Sequence, residues 1–140
     1  MKYKQLEGLV LKKLANYIES ERIYLELTEE MEARENEEIG KDTLLLSELY
    51  KLSADNQRKL GKYELSLQFY EKSKSLGEKI YNSQEHHYFV DIYKNIGLLN
   101  KKLSKYTLAL SNYATALQIL EKVFTKFSLF IFIKFSFNLI

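Results

Sequence analysis

Apolar residues recur along this chain at three- and four-residue spacing, and the pattern breaks at regular points. Tyr3, Leu6, Leu9, Val10, Leu11 and Leu14 predict a helix over residues 2–14. Asn16, with Glu19 three residues on, reads as the N-cap of a second helix carrying Tyr17, Ile18, Ile23, Tyr24, Leu25 and Leu27. That helix fades into the acidic run Glu29 to Glu38, and Gly40 marks a loop. Asp42 or Thr43 can cap a third helix over residues 44–59, which Gly61 ends. A fourth covers residues 63–80, and Asn82-Ser83-Gln84 forms a loop in which Ser83 can cap. Residues 88–102 and 105–124 give two more helices, with Ser104 as the cap between them. The expectation is helix, short turn, helix, three times over. Residues 127–140 then turn aromatic and aliphatic, with Lys134 as the single charged side chain.

The helices also repeat in sequence. A shift of 43 residues lays Tyr50-Lys51, Lys59-Leu60, Lys62-Tyr63, Leu65, Leu67, Tyr70 and Glu78-Lys79 on Tyr93-Lys94, Lys102-Leu103, Lys105-Tyr106, Leu108, Leu110, Tyr113 and Glu121-Lys122. That is 11 identities over residues 50–81. Self-similarity at such a period is the signature of a stacked array, in which each unit buries its face on the next. Arrays of this kind build long surfaces that hold other proteins.

Composition narrows the function classes. Hydrophobic content of 46% with 29% charged residues suits a soluble helical protein rather than a disordered chain. A formal net charge of +2 gives no polycation to drive nucleic-acid binding. With no Cys, disulfide frameworks, zinc ribbons and thiol catalysis are excluded; with no Pro, nothing forbids long helices. The first twenty residues lack the uninterrupted apolar core of a secretory signal, which favours the cytoplasm. No nucleophile motif, phosphate loop or paired-carboxylate site is present, so neither an enzyme nor a cofactor is expected.

The small and aromatic positions resemble the tetratricopeptide repeat family. Its units carry a small residue midway along the first helix, a Tyr opening the second, then a small residue, a large aromatic and another small residue. Gly97, Tyr106, Ala109, Tyr113 and Ala116 reproduce that order, as do Ala54, Tyr63, Ser66, Tyr70 and Ser73. Gly8, Tyr17, Ser20 and Tyr24 begin a third copy, in which Leu27 takes a small position. The long period is similar to that of the kinesin-light-chain-like subgroup. The resemblance implies an all-α fold, a right-handed superhelical stack of antiparallel hairpins with about six helices. The array would cover residues 1–125, in units of about 1–38, 44–82 and 87–124, followed by an apolar segment over 126–140. Leu11, Gln57 and Asn100 replace an aromatic that the family places late in the first helix.

The resemblance also implies a concave groove lined by first helices. Its candidate lining is Lys51, Leu52, Asp55 and Arg58 in the second unit and Lys94, Asn95, Leu98 and Lys101 in the third, with Gln5, Leu9 and Lys12 in the first. A basic pair closes each first helix: Lys12-Lys13, Arg58-Lys59 and Lys101-Lys102. These cations form a ladder for an acidic peptide, or they complement helix macrodipoles for about 0.3–1 kcal/mol each; both roles can hold together. Asn95 can clamp a peptide backbone, because an amide donates and accepts at once, or it can be a solvated helix residue. Asp55 would repel a terminal carboxylate, so chaperone-tail binding is not expected.

His86-His87 reads as linker, since adjacent histidines chelate poorly, and no metal is expected. The cluster of Glu29, Glu30, Glu32, Glu35, Glu37 and Glu38 reads as a solvated surface. The apolar segment allows three readings: a cap over the last unit, a membrane anchor, or an A/T-rich non-coding stretch that leaves the chain a piece of a longer array. A 14-residue helix spans about 21 Å against a hydrocarbon core of about 30 Å, which counts against the anchor. The sequence thus points to a non-catalytic protein-interaction scaffold that takes a peptide or helix, acidic in character, in its groove. A membrane-associated adaptor held by residues 123–140, or a sensor module of a larger signalling protein, are the alternatives.

Overall fold

The computed structural model describes Lys4 and residues 17–34, 41–83 and 85–138. Five helices follow one another there: α1 (Tyr17–Arg34), α2 (Lys41–Lys59), α3 (Tyr63–Tyr81), α4 (Tyr88–Lys102) and α5 (Tyr106–Asn138). No strand occurs among the described residues. The helix expected over residues 2–14, and Gln5, Gly8, Leu9, Lys12 and Gly40 with it, lie outside the described residues. So do Glu35, Glu37 and Glu38 of the acidic run.

Each helix packs chiefly on its neighbours in sequence: α1 on α2, α2 on α3, α3 on α4 and α4 on α5. No substantial contact joins α1 to α4 or α5 among the described residues, so the helices form an open succession rather than a closed bundle. The core runs along that succession through Tyr24, Leu27, Leu49, Ala54, Tyr70, Phe89, Ile92 and Leu99. Each fully buried large apolar side chain contributes about 1.5–3 kcal/mol.

Both described hairpins turn by the same device. Lys62 N–H reaches the Gln57 carbonyl (2.9 Å) and Gly61 N–H the Arg58 carbonyl (3.1 Å). One period later Lys105 N–H reaches the Asn100 carbonyl (2.7 Å) and Ser104 N–H the Lys101 carbonyl (3.0 Å). This paired bonding satisfies the last carbonyls of a helix and needs a left-handed residue at its end. Gly61 takes that role at φ 77° and Ser104 at φ 61°. Ser104 therefore caps between the two helices by ending α4. Asp42 and Thr43 likewise lie inside the first turn of α2, which starts at Lys41. Ser83 does serve the loop, accepting a hydrogen bond from Glu85 N–H (3.0 Å).

α5 departs most from expectation. It runs 33 residues without a break from the repeat into the apolar segment, about 50 Å long. No Pro or Gly follows Gly97, and nothing else in the chain chemistry stops the helix. Phe127, Leu129, Phe130, Phe132 and Ile133 are exposed on it, so the segment does not fold back over the third unit. Among the described residues no helix is long and apolar enough to cross a membrane.

Candidate functional site

Small residues set how closely the helices approach. A Cβ at Gly97 would stand 2.8 Å from the Tyr113 ring and 3.2 Å from the Ala109 carbonyl oxygen, so α4 and α5 meet at backbone distance. In the preceding unit the Ser66 hydroxyl donates to the Ala54 carbonyl (2.6 Å), tying α3 to α2. Between units, a Cβ at Gly77 would fall 2.6 Å from the Tyr88 ring and 3.1 Å from that of Phe89. Ser73 Oγ donates to the Ser47 carbonyl (2.9 Å) and Ser47 Oγ to the Ser73 carbonyl (3.2 Å). With both serine protons so used, the Tyr88 hydroxyl donates into the pair, 2.8 Å from Ser73 Oγ and also in contact with Ser47 Oγ. Tyr88 thus pins α4 against α2 and α3 together. That junction ties the start of α4 to α2 as well as α3, and the candidate groove residues lie on α2 and α4.

Lys51, on α2, is half-buried with Nζ 5.7 Å from the centre of the Tyr88 ring. Asp91 and Lys94 pair on α4 at 2.7 Å, both more than half exposed. The Lys94 ammonium, with Lys51 contributing, holds the Asp91 carboxyl below its ordinary range. Lys51, Asp91 and Lys94 are thus one electrostatic group. Asn95 and Leu98 are half-buried and Lys101 is exposed one turn further along the same helix. Lys51 and Lys94 both act on Asp91, which sequence reasoning passed over. Its spacing of three residues before Lys94 was the available signal.

Asp55 and Arg58 are used differently. Asp55 accepts a hydrogen bond from the Tyr70 hydroxyl and lies 3.7 Å from Arg58 Nη2. Arg58 Nε is buried. Burial, then the Asp55 charge, pushes the Tyr70 hydroxyl well above its ordinary pKa, and the same two causes push Tyr24 up to about 12. The pair is a lock between α2 and α3, and its charges are largely spent inside the protein. Asn56 Nδ2 donates to the Tyr17 carbonyl (2.8 Å) and to Ser20 Oγ (2.9 Å), and Gln57 donates to Glu21, so this end of α2 is bound to α1. Glu32, from the acidic run, accepts a hydrogen bond from Tyr50 rather than only facing solvent.

The histidines serve the linker. His86 stacks on Tyr81 at 3.9 Å, and its Nδ1 accepts the Tyr88 N–H (3.2 Å). Partial burial and the neighbouring His87 lower its pKa, in keeping with a neutral acceptor. Among the described residues no group of three His, Cys, Asp or Glu is placed to hold a metal.

These features define an α-helical repeat fold: hairpins joined in succession by small-against-aromatic contacts. The crystal structure of BtubC (BKLC) from P. vanneervenii, a kinesin-light-chain-like helical-repeat protein, shares this fold at a TM-score of 0.67. The two are 23% identical over a match covering 82% of this chain and 43% of that one. The chain therefore spans less than half the length of that protein. No protein-family model and no curated protein matches the chain.

Proposed function

We propose that this chain is a non-catalytic protein-interaction scaffold that takes an acidic peptide or helix along the outward faces of α2 and α4. In this reading the hairpins stack as a right-handed superhelix and those faces line its concave side. The observation that carries the reading is the cation set Lys51, Lys94 and Lys101. Lys94 and Lys101 are exposed, and Lys94 is balanced by the single carboxylate of Asp91. An arriving carboxylate can exchange with Asp91 at little cost, because exposed pairs are worth only about 0–1 kcal/mol. Leu98 supplies apolar contact and Asn95 an amide able to donate and accept. Asp55 and Arg58 hold the scaffold in shape and bind the peptide less directly than the lysines.

Steering by positive charge makes association salt-dependent. The test is capture of an immobilised Glu/Asp-rich peptide by the intact chain and by the Lys51→Glu, Lys94→Glu, Lys101→Glu triple variant. Loss of capture with an unchanged helical circular-dichroism spectrum is expected. Equal capture by both proteins removes the groove.

A further inference from the structure

We infer that the outward face of α5 is a self-association surface, and that two copies of this chain pair through it as an antiparallel two-helix coil. Tyr106, Leu110, Tyr113, Leu117, Leu120, Phe124, Phe127 and Ile131 fall at strictly alternating steps of four and three along α5. A stripe at that spacing, held for more than three heptads, is the seam of a coiled coil. Tyr106, Leu110, Leu117, Leu120, Phe124 and Phe127 are each more than half exposed. Tyr113 is the seam residue shared with the protein, its ring packed against Gly97 of α4; the other seam residues stand apart from Ala109, Ala116 and Ile119, which are buried.

The internal repeat shows that this stripe is not simply a standard face awaiting another hairpin. One period earlier, Lys74, Gly77 and Tyr81 occupy the places of Leu117, Leu120 and Phe124. On α3 those residues receive α4: Lys74 over the Tyr93 ring at 5.6 Å, Gly77 beneath Tyr88 and Phe89, Tyr81 against both rings. On α5 a leucine replaces the glycine, so a helix with α4's aromatic pair cannot approach in the same way. Length points the same way. α4 has 15 residues, about 22 Å, whereas the seam from Tyr106 to Ile131 runs about 38 Å. A second α5 matches it throughout.

Antiparallel pairing centred between Leu117 and Leu120 sets Tyr106 on Ile131, Leu110 on Phe127, Tyr113 on Phe124 and Leu117 on Leu120, each pair made twice about a two-fold axis. The six exposed residues from Tyr106 to Phe127 and Ile131 are all matched to large residues, and Phe124 covers the outer edge of the Tyr113 ring that Gly97 leaves open. Lys134, which continues the spacing, falls beyond the last layer. A parallel pair in register would instead press Lys134 on its own copy. The seven exposed side chains, with the open edge of Tyr113, bury on the order of 700–800 Å² per chain, near the size of a standard specific interface.

Sedimentation of the intact chain at tens of micromolar should give a particle of twice the 16.6 kDa chain mass. Leu117→Lys with Leu120→Lys should halve that mass while helical content is kept; Leu117→Gln with Leu120→Gln serves the same end if the lysine pair fails to fold. Because the chain has no cysteine, single thiols report the register. A mixture of Leu110→Cys and Phe127→Cys should cross-link under oxidation. Leu110→Cys alone should not, since its two copies would stand about 25 Å apart. A monomer, a polydisperse aggregate, a dimer untouched by both double variants, or efficient self-linking of Leu110→Cys overturns the inference. None of these results bears on capture of acidic peptides by α2 and α4.

Discussion

The α2–α3 hairpin and the α4–α5 hairpin share a sequence pattern one period apart, yet spend the same positions on different tasks. Tyr70 and Tyr113 are equivalent. Tyr70 is fully buried and its hydroxyl is held by Asp55 with Arg58 alongside; the places of Asp55 and Arg58 are Leu98 and Lys101 in the next unit, and Tyr113 is only half-buried. The first hairpin uses Asp55 and Arg58 internally. The second leaves Lys94 and Lys101 facing water. Gly77 and Leu120 are a second contrast, a covered junction against an open seam. Gly61 and Ser104 are a third, one turn relaxed and the other held in the left-handed region by a residue with a Cβ. A repeat unit is therefore a shared frame of small and aromatic contacts, on which the remaining positions are free to specialise.

Breaking the lock should separate the hairpins most. Tyr70→Phe takes that donor from the half-buried Asp55 and should cost about 1.5–3 kcal/mol in urea unfolding. Tyr113→Phe should stay within about 0.5 kcal/mol of the parent. Gly77→Ala drives a methyl into the Tyr88 ring, whose hydroxyl is fixed by two serines, and should cost about 1–3 kcal/mol. Leu120→Ala, its equivalent on α5, should be nearly neutral when measured dilute enough to keep the chain monomeric. The turns should respond in opposite directions: Ser104→Gly should stabilise and Gly61→Ser destabilise, each by about 0.5–1 kcal/mol. A common sign for the two would remove the equivalence of the turns.

A separate effect is read by pH. Tyr24 is raised to about 12 by burial and then by the charge of Asp55. Between pH 10 and about 12 the unfolded chain loses the Tyr24 proton while the folded chain keeps it, so stability falls as pH rises through that window. Tyr24→Phe should flatten this alkaline slope in thermal melts, and an unchanged slope would place the cause in other groups.

Much of the frame was legible in the sequence. The bounds of α4 and the start of α3 match the periodicity, and Ala54, Ser66, Tyr70 and Ser73 are buried as the small-and-aromatic order implies. Periodicity places a residue on a face but does not reveal what the adjacent helix offers it. Asp55 and Arg58, which the resemblance assigns to the groove, also meet the Tyr70 hydroxyl, a contact that spacing alone does not reveal. The end of α5 misled for another reason: a change of composition at residue 127 looks like a boundary, yet a helix stops only where a breaker or a cap stops it. The alignment of Ser104 with Gly61 shows which kind of cap it is, since the position, not the residue type, dictates the left-handed turn.

The division of labour between spent and available charges is tested most directly by calorimetric titration of a Glu/Asp-rich peptide into three proteins: the parent, Lys94→Glu with Lys101→Glu, and Asp55→Asn. The account predicts salt-sensitive binding by the parent and none by the lysine variant at full stability. It predicts a destabilised Asp55→Asn protein that still binds when folded. Binding that survives reversal of both lysines, or that disappears in folded Asp55→Asn, would contradict it.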